Sequence, residues 1–235
     1  NSMIGSLNIE AQAGQIRMPR NEMYDISSSR IFNVPDPGFL ATKVMYHSPQ
    51  DMFFAGISRL LIDYKTYSSS TVEPFRIDST NDNLITTDIF SAGINIGSWV
   101  LTSEYMRRKN DFTNTSYMYS AGTGSLITSF EYKDINVADA YFVQVEKMIG
   151  PQLSAFIRND HGYVVTANGK TTNNYTNSYV IGTNWRPTSN ILLKAEYHNI
   201  EGASADMILI DDNPNKINGY DRYWDLFMLQ FIYSF

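Results

Sequence analysis

Tyr223-Trp224-Asp225-Leu226-Phe227-Met228-Leu229-Gln230-Phe231-Ile232-Tyr233-Ser234-Phe235 is the stretch around which the rest of the chain is organised. Taken every second residue, Phe227, Leu229, Phe231, Tyr233 and Phe235 form an apolar, largely aromatic row, while Gln230 and Ser234 fall between them. A period of two places such a row on one face of a β-strand. The row runs on to Phe235, where a soluble domain more often ends in a polar, frayed tail. An amphipathic strand of a soluble sandwich would show the same alternation, so the rest of the chain has to decide.

Working outward, the same alternation recurs. It predicts strands at residues 7–18, 39–47, 52–65, 87–96, 99–109, 114–122, 126–133, 139–148, 153–158, 178–186 and 191–198 before the closing one, about twelve in all, an even number as closed antiparallel barrels have. Short turns are expected at 48–51, 97–98, 123–125, 150–151 and 187–189, each carrying Gly, Pro, Ser or Asp. The other connections, 19–38, 67–83, 160–177 and 201–222, are longer and rich in Asn, Asp, Ser or Pro. Short turns on one side and long loops on the other suit a transmembrane barrel, whose closure removes unpaired edges. Parity places both chain ends on the short-turn side.

Composition agrees. The 235 residues include 16 Tyr, 13 Phe and 3 Trp but only 18% charged side chains, which suits strands better than amphipathic helices. Cysteine is absent, so no disulfide or thiolate metal site can form. A net charge of -6 argues against a nucleic-acid partner. No run of about twenty apolar residues predicts a transmembrane helix. The first residues, Asn1 to Ser6, lack the features of a signal peptide, as in a processed or truncated chain. No cofactor is implied, and the chain is expected to form one domain over residues 1–235.

In such a barrel the apolar rows meet lipid and the charged rows face the lumen. The alternation assigns Glu10, Arg17, Lys43, Arg59, Asp63, Lys65, Glu104, Arg108, Glu131, Glu146, Arg158, Arg186, Lys194, Glu196 and His198 to the lumen. Tyr46, Tyr64, Trp99, Tyr105, Trp185 and Tyr197 are expected near strand ends as interfacial girdles. Interleaved charges of both signs select ions weakly.

The closing strand, ending on Phe235, resembles the last strand of bacterial outer-membrane β-barrels. Gly14-Gln15-Ile16-Arg17-Met18-Pro19, followed by Tyr24 and the segment to Gly38, resembles the part of phosphate-selective-type and related general porins where a strand ending in Gly-x-x-Arg-x-Pro leads into a loop folded inside the barrel. The resemblance implies a passive channel for small hydrophilic solutes or ions in the outer membrane of a Gram-negative bacterium. It also implies a homotrimer in contact with lipid and lipopolysaccharide, with Phe235 presented to the barrel-assembly machinery. Residues 19–38 would form the constriction, bringing Arg20, Glu22, Asp25, Arg30 and Asp36 toward Arg17, Lys43 and Arg59. Arg20-Asn21-Glu22 stands where these porins carry an apolar-Gly pair, so their substrate does not carry over. The inward loop of sixteen-stranded porins follows the fifth strand, which leaves two accounts open: a complete barrel of about twelve strands, or the C-terminal part of a larger one.

Two other classes are set against this one. Outer-membrane phospholipases are barrels with a Ser nucleophile and a His base; here only His47, His161 and His198 are available, in no comparable motif, so no enzymatic activity is expected. An adhesion or assembly scaffold would use the loops, and Asp206, Asp211, Asp212 and Asp221 make the last one acidic without the spacing of a Ca²⁺ loop.

Overall fold

The computed structural model describes residues 5–15, 29–32, 38–72, 74–166, 169–202, 216–217, 220–221 and 223–234. Their strands are β1 (Ser6–Gln15), β2 (Ser29–Phe32), β3 (Gly38–His47), β4 (Phe53–Val72), β5 (Phe75–Ile96), β6 (Trp99–Ser120), β7 (Leu126–Met148), β8 (Leu153–Thr166), β9 (Gly169–Thr188), β10 (Ile191–Gly202), β11 (Lys216–Ile217), β12 (Tyr220–Asp221) and β13 (Tyr223–Tyr233). One antiparallel sheet runs β1-β3-β4-β5-β6-β7-β8-β9-β10-β13, β2 adds to β4, and β11 pairs only with β12. The fold is all-β, as expected. No helix among the described residues is long and apolar enough to cross a membrane, which says nothing of strands.

The main sheet has ten strands in line rather than twelve. Residues 99–109 and 114–122, expected as two strands, form the single β6, and 126–133 and 139–148 form the single β7. The turn at 121–125 therefore lies at the far end of the sheet from those at 97–98 and 149–152, not beside them. Residues 67–83 and 160–177, read as loops, are largely strand as well. Their Ser, Thr and Asn side chains satisfy one another across the ladder instead of breaking it. Ser69 donates to Asp78 at 2.6 Å, Asn81 to Thr66 at 3.1 Å, and the Ser79 and Ser116 hydroxyls meet at 2.7 Å. Near this tip the Arg76 guanidinium, helped by the Ser69 hydroxyl, holds the Asp78 carboxyl below the usual carboxylate range.

Ten is still even, so β1 begins and β13 ends on the short-turn side. Parity fixes where the ends lie and not whether the edges meet: among the described residues β1 pairs only with β3 and β13 only with β10.

The short turns are locally well determined. Gly97, with Ser98, closes a two-residue hairpin at φ +61, a backbone state that glycine adopts without penalty. The turn after β3 holds Gln50 and Asp51 at φ 61 and 54. Ser48 compensates there: its hydroxyl accepts from the Phe53 amide at 2.8 Å and its carbonyl from the Asp51 amide at 3.0 Å.

Registers make the two faces unambiguous. On the outer face Phe53, Ile94, Leu101, Val145, Ile157, Ile181, Tyr197 and Phe227 stand directly opposite one another across eight consecutive strands. The next row is Ile96 and Trp99 on one side; on the other, Ala55, Ala92, Ser103 and Val143 come first and then Ile57, Phe90, Tyr105 and Tyr141. The band ends at a charged row, Arg59, Asp88, Arg107 and Asp139. Its outward positions in β5, from Phe90 to Ile96, span about 20 Å of strand at about 3.3 Å per residue.

Burial inverts the pattern of a soluble protein. Along β9, Tyr179 and Ile181 are 62% and 64% exposed, while the adjacent Ser178 and Val180 are 4% and 1% exposed. The inner face of β8–β10 packs most closely. Phe156 lies across Gly182, and Phe54 across Gly93, so that a Cβ at either glycine would run into the ring. A β-strand glycine covered by an aromatic ring lets the two strands approach and fixes their register.

Candidate functional site

The candidate site is the inner face of β6–β10, built by one register. Ser91, Glu104, Phe142, Asp160, Ser178, Ile200 and Trp224 form one transverse row across β5–β10 and β13. Four residues toward the short turns, Glu146, Phe156, Gly182 and Glu196 form another, with Gln144, Arg158, Val180 and His198 in the row between. Alternation on each strand turns all of these side chains to the same side.

Glu196 is the hub of this face. At 4% exposure it takes Lys194 Nζ at 2.6 Å and Arg158 Nη1 at 3.4 Å on one carboxylate oxygen, and His198 Nε2 at 3.0 Å on the other. Arg158 also donates from Nε to Asp160 at 2.7 Å. Glu146 has neutral partners instead: Ser154, Asn184 at 3.0 Å and Gln144 at 3.3 Å. Glu104 accepts only from the Ser91 hydroxyl, at 2.9 Å, and no salt bridge reaches it among the described residues. Counted with the row between them, which holds Arg158, and the next row toward the short turns, which holds Lys194, these rows carry four carboxylates, Glu104, Glu146, Asp160 and Glu196, against two cations. Arg108 faces the same way further from the short turns.

Above this cluster lies a cavity of about 560 Å³. Its floor is low because Ala140 and Gly162 sit directly opposite each other, with Ala138 beside them. Phe142, Met106 and Trp224 wall it, and Glu104, Asp160, His198 and Ser178 supply its polar atoms. The Ser178 hydroxyl is buried without a hydrogen-bond partner, a state that costs about 1–3 kcal/mol.

Lys43, Glu104, Arg108, Arg158, Lys194 and Glu196 all fall on the inner face, and the structure brings Arg158, Lys194 and Glu196 into contact. Arg59 and Asp63 do not: they lie on the outer face with Lys65 and Glu131. Leu60, Leu61 and Ile62 are apolar in succession, so alternation within β4 could not decide its faces. The register with β5 does, through a bidentate pair from Arg59 to Asp88 at 2.6 and 2.9 Å. Arg17, Arg20, Glu22, Asp25 and Asp36 lie outside the described residues. So does most of 19–38; of that segment Ser29–Phe32, including the backbone of Arg30, pairs with β4.

Of the expected girdle residues, Tyr46, Trp99 and Trp185 occupy the short-turn end of the outer face. Lys147 reaches over the Trp99 ring at 4.5 Å, stem on apolar surface and ammonium toward Ser98. Tyr105 marks the opposite border, donating to Asp139 at 2.7 Å, Tyr197 lies in the central apolar row, and Tyr64 lies on the inner face. Phe142, Asp160, Ser178 and Trp224 were not singled out from the sequence. The alternation of Arg158, Asp160, Gly162 and Val164 against Asn159, His161 and Tyr163 was the available signal for β8 continuing.

No family model and no curated protein matches this sequence. Among solved structures, the chain is similar to the unliganded ferric citrate transporter FecA, with 12% identity and a TM-score of 0.45 over 73% of this chain and 28% of that one. The chain therefore spans about a quarter of that transporter's length.

Proposed function

We propose that the sheet is the wall of an outer-membrane channel that passes small hydrophilic solutes or ions by diffusion. The observation that carries this is the inverted alternation of β9, where Tyr179 and Ile181 are exposed and Ser178 is buried. An eight-strand row of bare Ile, Leu, Val, Phe and Tyr is a large exposed apolar patch in water but an ordinary surface in lipid. Strands cross a membrane only when every edge is paired, so this reading requires the free edges of β1 and β13 to be covered, by each other or by further strands.

The inner charges then filter. Four carboxylates against two cations on the central rows favour cations weakly, because most of these groups are paired. His198 is bound to Glu196 and His161 packs between Tyr141 and Tyr163 on the outer face, and this reading gives neither a catalytic role. The flat outer face also suits assembly into a trimer, and Phe235, outside the described residues, would be the contact for barrel assembly.

Planar bilayers test the reading. The purified chain is expected to give discrete, ohmic conductance steps with a modest cation preference. Refolded protein that inserts into bilayers yet carries no current would overturn it.

A further inference from the structure

The cavity on the inner face has the form of a ligand site, and we propose that it binds an amine with a cationic end, an apolar body and a hydroxyl at the other end. The inference rests on the inner face being open to water, as the channel reading has it.

Three independent features define the ligand. Glu104 is a carboxylate without a basic partner among the described residues, hydrogen-bonded only by Ser91, and it faces the cavity. An ammonium is the group that completes it. Three strands away in the same row, Ser178 lines the cavity, and its hydroxyl is buried with no hydrogen-bond partner, in a residue 4% exposed. A buried hydroxyl in that state is completed by a ligand hydroxyl or by water. Between them the surface is apolar: Ala140 and Gly162 leave the depression, and Phe142, Met106 and Trp224 border it. Aromatic faces accept both a flat hydrocarbon body and a neighbouring cation.

The spacing sets the length. Glu104 and Ser178 are separated by three interstrand steps, about 14 Å between backbones at about 4.8 Å each. A phenylethylamine skeleton with a para-hydroxyl, about 8 Å from nitrogen to oxygen, with about 2.8 Å for a hydrogen bond at each end, spans about that separation. Asp160 lies between them in the row, but its carboxylate already holds Arg158 at 2.7 Å, which leaves Glu104 as the free anion.

Tyramine is a suitable probe, compared with phenethylamine, which lacks the hydroxyl, and 3-(4-hydroxyphenyl)propanoate, which replaces the cation by an anion. Calorimetry on the full chain in detergent reads binding without requiring conduction. Tyramine is expected to bind most tightly, phenethylamine about threefold more weakly, and the propanoate at least tenfold more weakly. Glu104→Gln should lower tyramine affinity at least tenfold. Ser178→Ala should remove the preference for tyramine over phenethylamine. Gly162→Leu should abolish binding, and a Cβ there meets only ordinary contacts, Ala140 Cβ at 3.7 Å and the Asp139 carbonyl at 3.8 Å. Equal binding of amine and carboxylate, no tyramine binding at millimolar concentration, or unchanged binding in Gly162→Leu would overturn the site. The ranking of the three probes on the unaltered chain needs no variant to fold. Conductance without binding removes the site and leaves the channel, whereas binding without conductance removes the channel alone.

Discussion

Ile181→Arg is expected to cost about 2–4 kcal/mol, although the Ile181 side chain is 64% exposed. In a soluble sheet, a substitution at so open a position falls within about 0.5 kcal/mol of neutral. Here Ile181 lies in the row that continues through Ile157, Val145 and Leu101 on one side and Tyr197 and Phe227 on the other. That row lies inside the apolar band, well below the charged border at Arg59 and Asp88. A guanidinium there must either lose its water or drag it into the hydrocarbon. The matched control is Thr113→Arg, on the same face but beyond the charged row, opposite Asp82; it should change stability by less than about 0.5 kcal/mol. Urea titration of folding into phospholipid vesicles, followed by tryptophan fluorescence, measures both. Equal costs at the two positions would mean that the apolar rows do not meet lipid.

The second large effect is expected at Glu196. Its carboxylate is shared by Lys194, Arg158 and His198 at 2.6, 3.4 and 3.0 Å, so Glu196→Ala leaves two cations facing each other with the anion gone. Loss of one partner from a fully dry ion pair costs about 3–5 kcal/mol. Arg158 and Lys194 keep 17% and 25% of their side-chain exposure, so water shares the load and the expected cost is nearer 2 kcal/mol. The same change leaves three carboxylates against two cations on these rows, so the cation-favouring zero-current potential across a salt gradient should become smaller. Adding Lys194→Met should restore part of both, because the surplus cation is then removed. A variant with unchanged stability and unchanged zero-current potential would show that the cluster neither braces the wall nor faces the ion path.

How much of this was legible in the sequence depended on where the alternation was clean. In residues 178–186 Val180 interrupts the alternation, and the faces follow from the aromatic and apolar set Tyr179, Ile181 and Trp185 against Ser178, Asn184 and Arg186. In β4 the succession Leu60-Leu61-Ile62 fits either face, and Arg59 and Asp63 were placed on the wrong one. The rule that charges face the lumen also failed there for a physical reason: beyond the apolar band both faces of a strand meet water, so charge no longer reports the inside. The same change of environment hid the length of β6 and β7. Asn110, Asp111 and Thr113 look like loop residues, yet they pair across the ladder with Ile85, Leu84 and Asp82 of β5, and cross-strand partners of this kind are not adjacent in sequence. The Glu196 cluster was visible as a set of charges, but its connectivity depends on the register between β8, β9 and β10. The cavity depends on Ala140 meeting Gly162 across two strands, which no local pattern encodes.

The sequence contains no cysteine, so any introduced thiol is unique, and a fluorophore attached to it reports its surroundings directly. Single cysteines at Leu101, Ile157 and Ile181 sample the outer face, and at Thr102, Glu104 and Gln144 the inner face. In bilayers containing brominated phospholipid, the outer three are expected to be strongly quenched by the lipid and indifferent to aqueous iodide, and the inner three the reverse, with the switch occurring between the adjacent residues Leu101 and Thr102. Iodide quenching both sets alike, with no effect of the brominated lipid, would contradict a sheet with lipid on one side and water on the other.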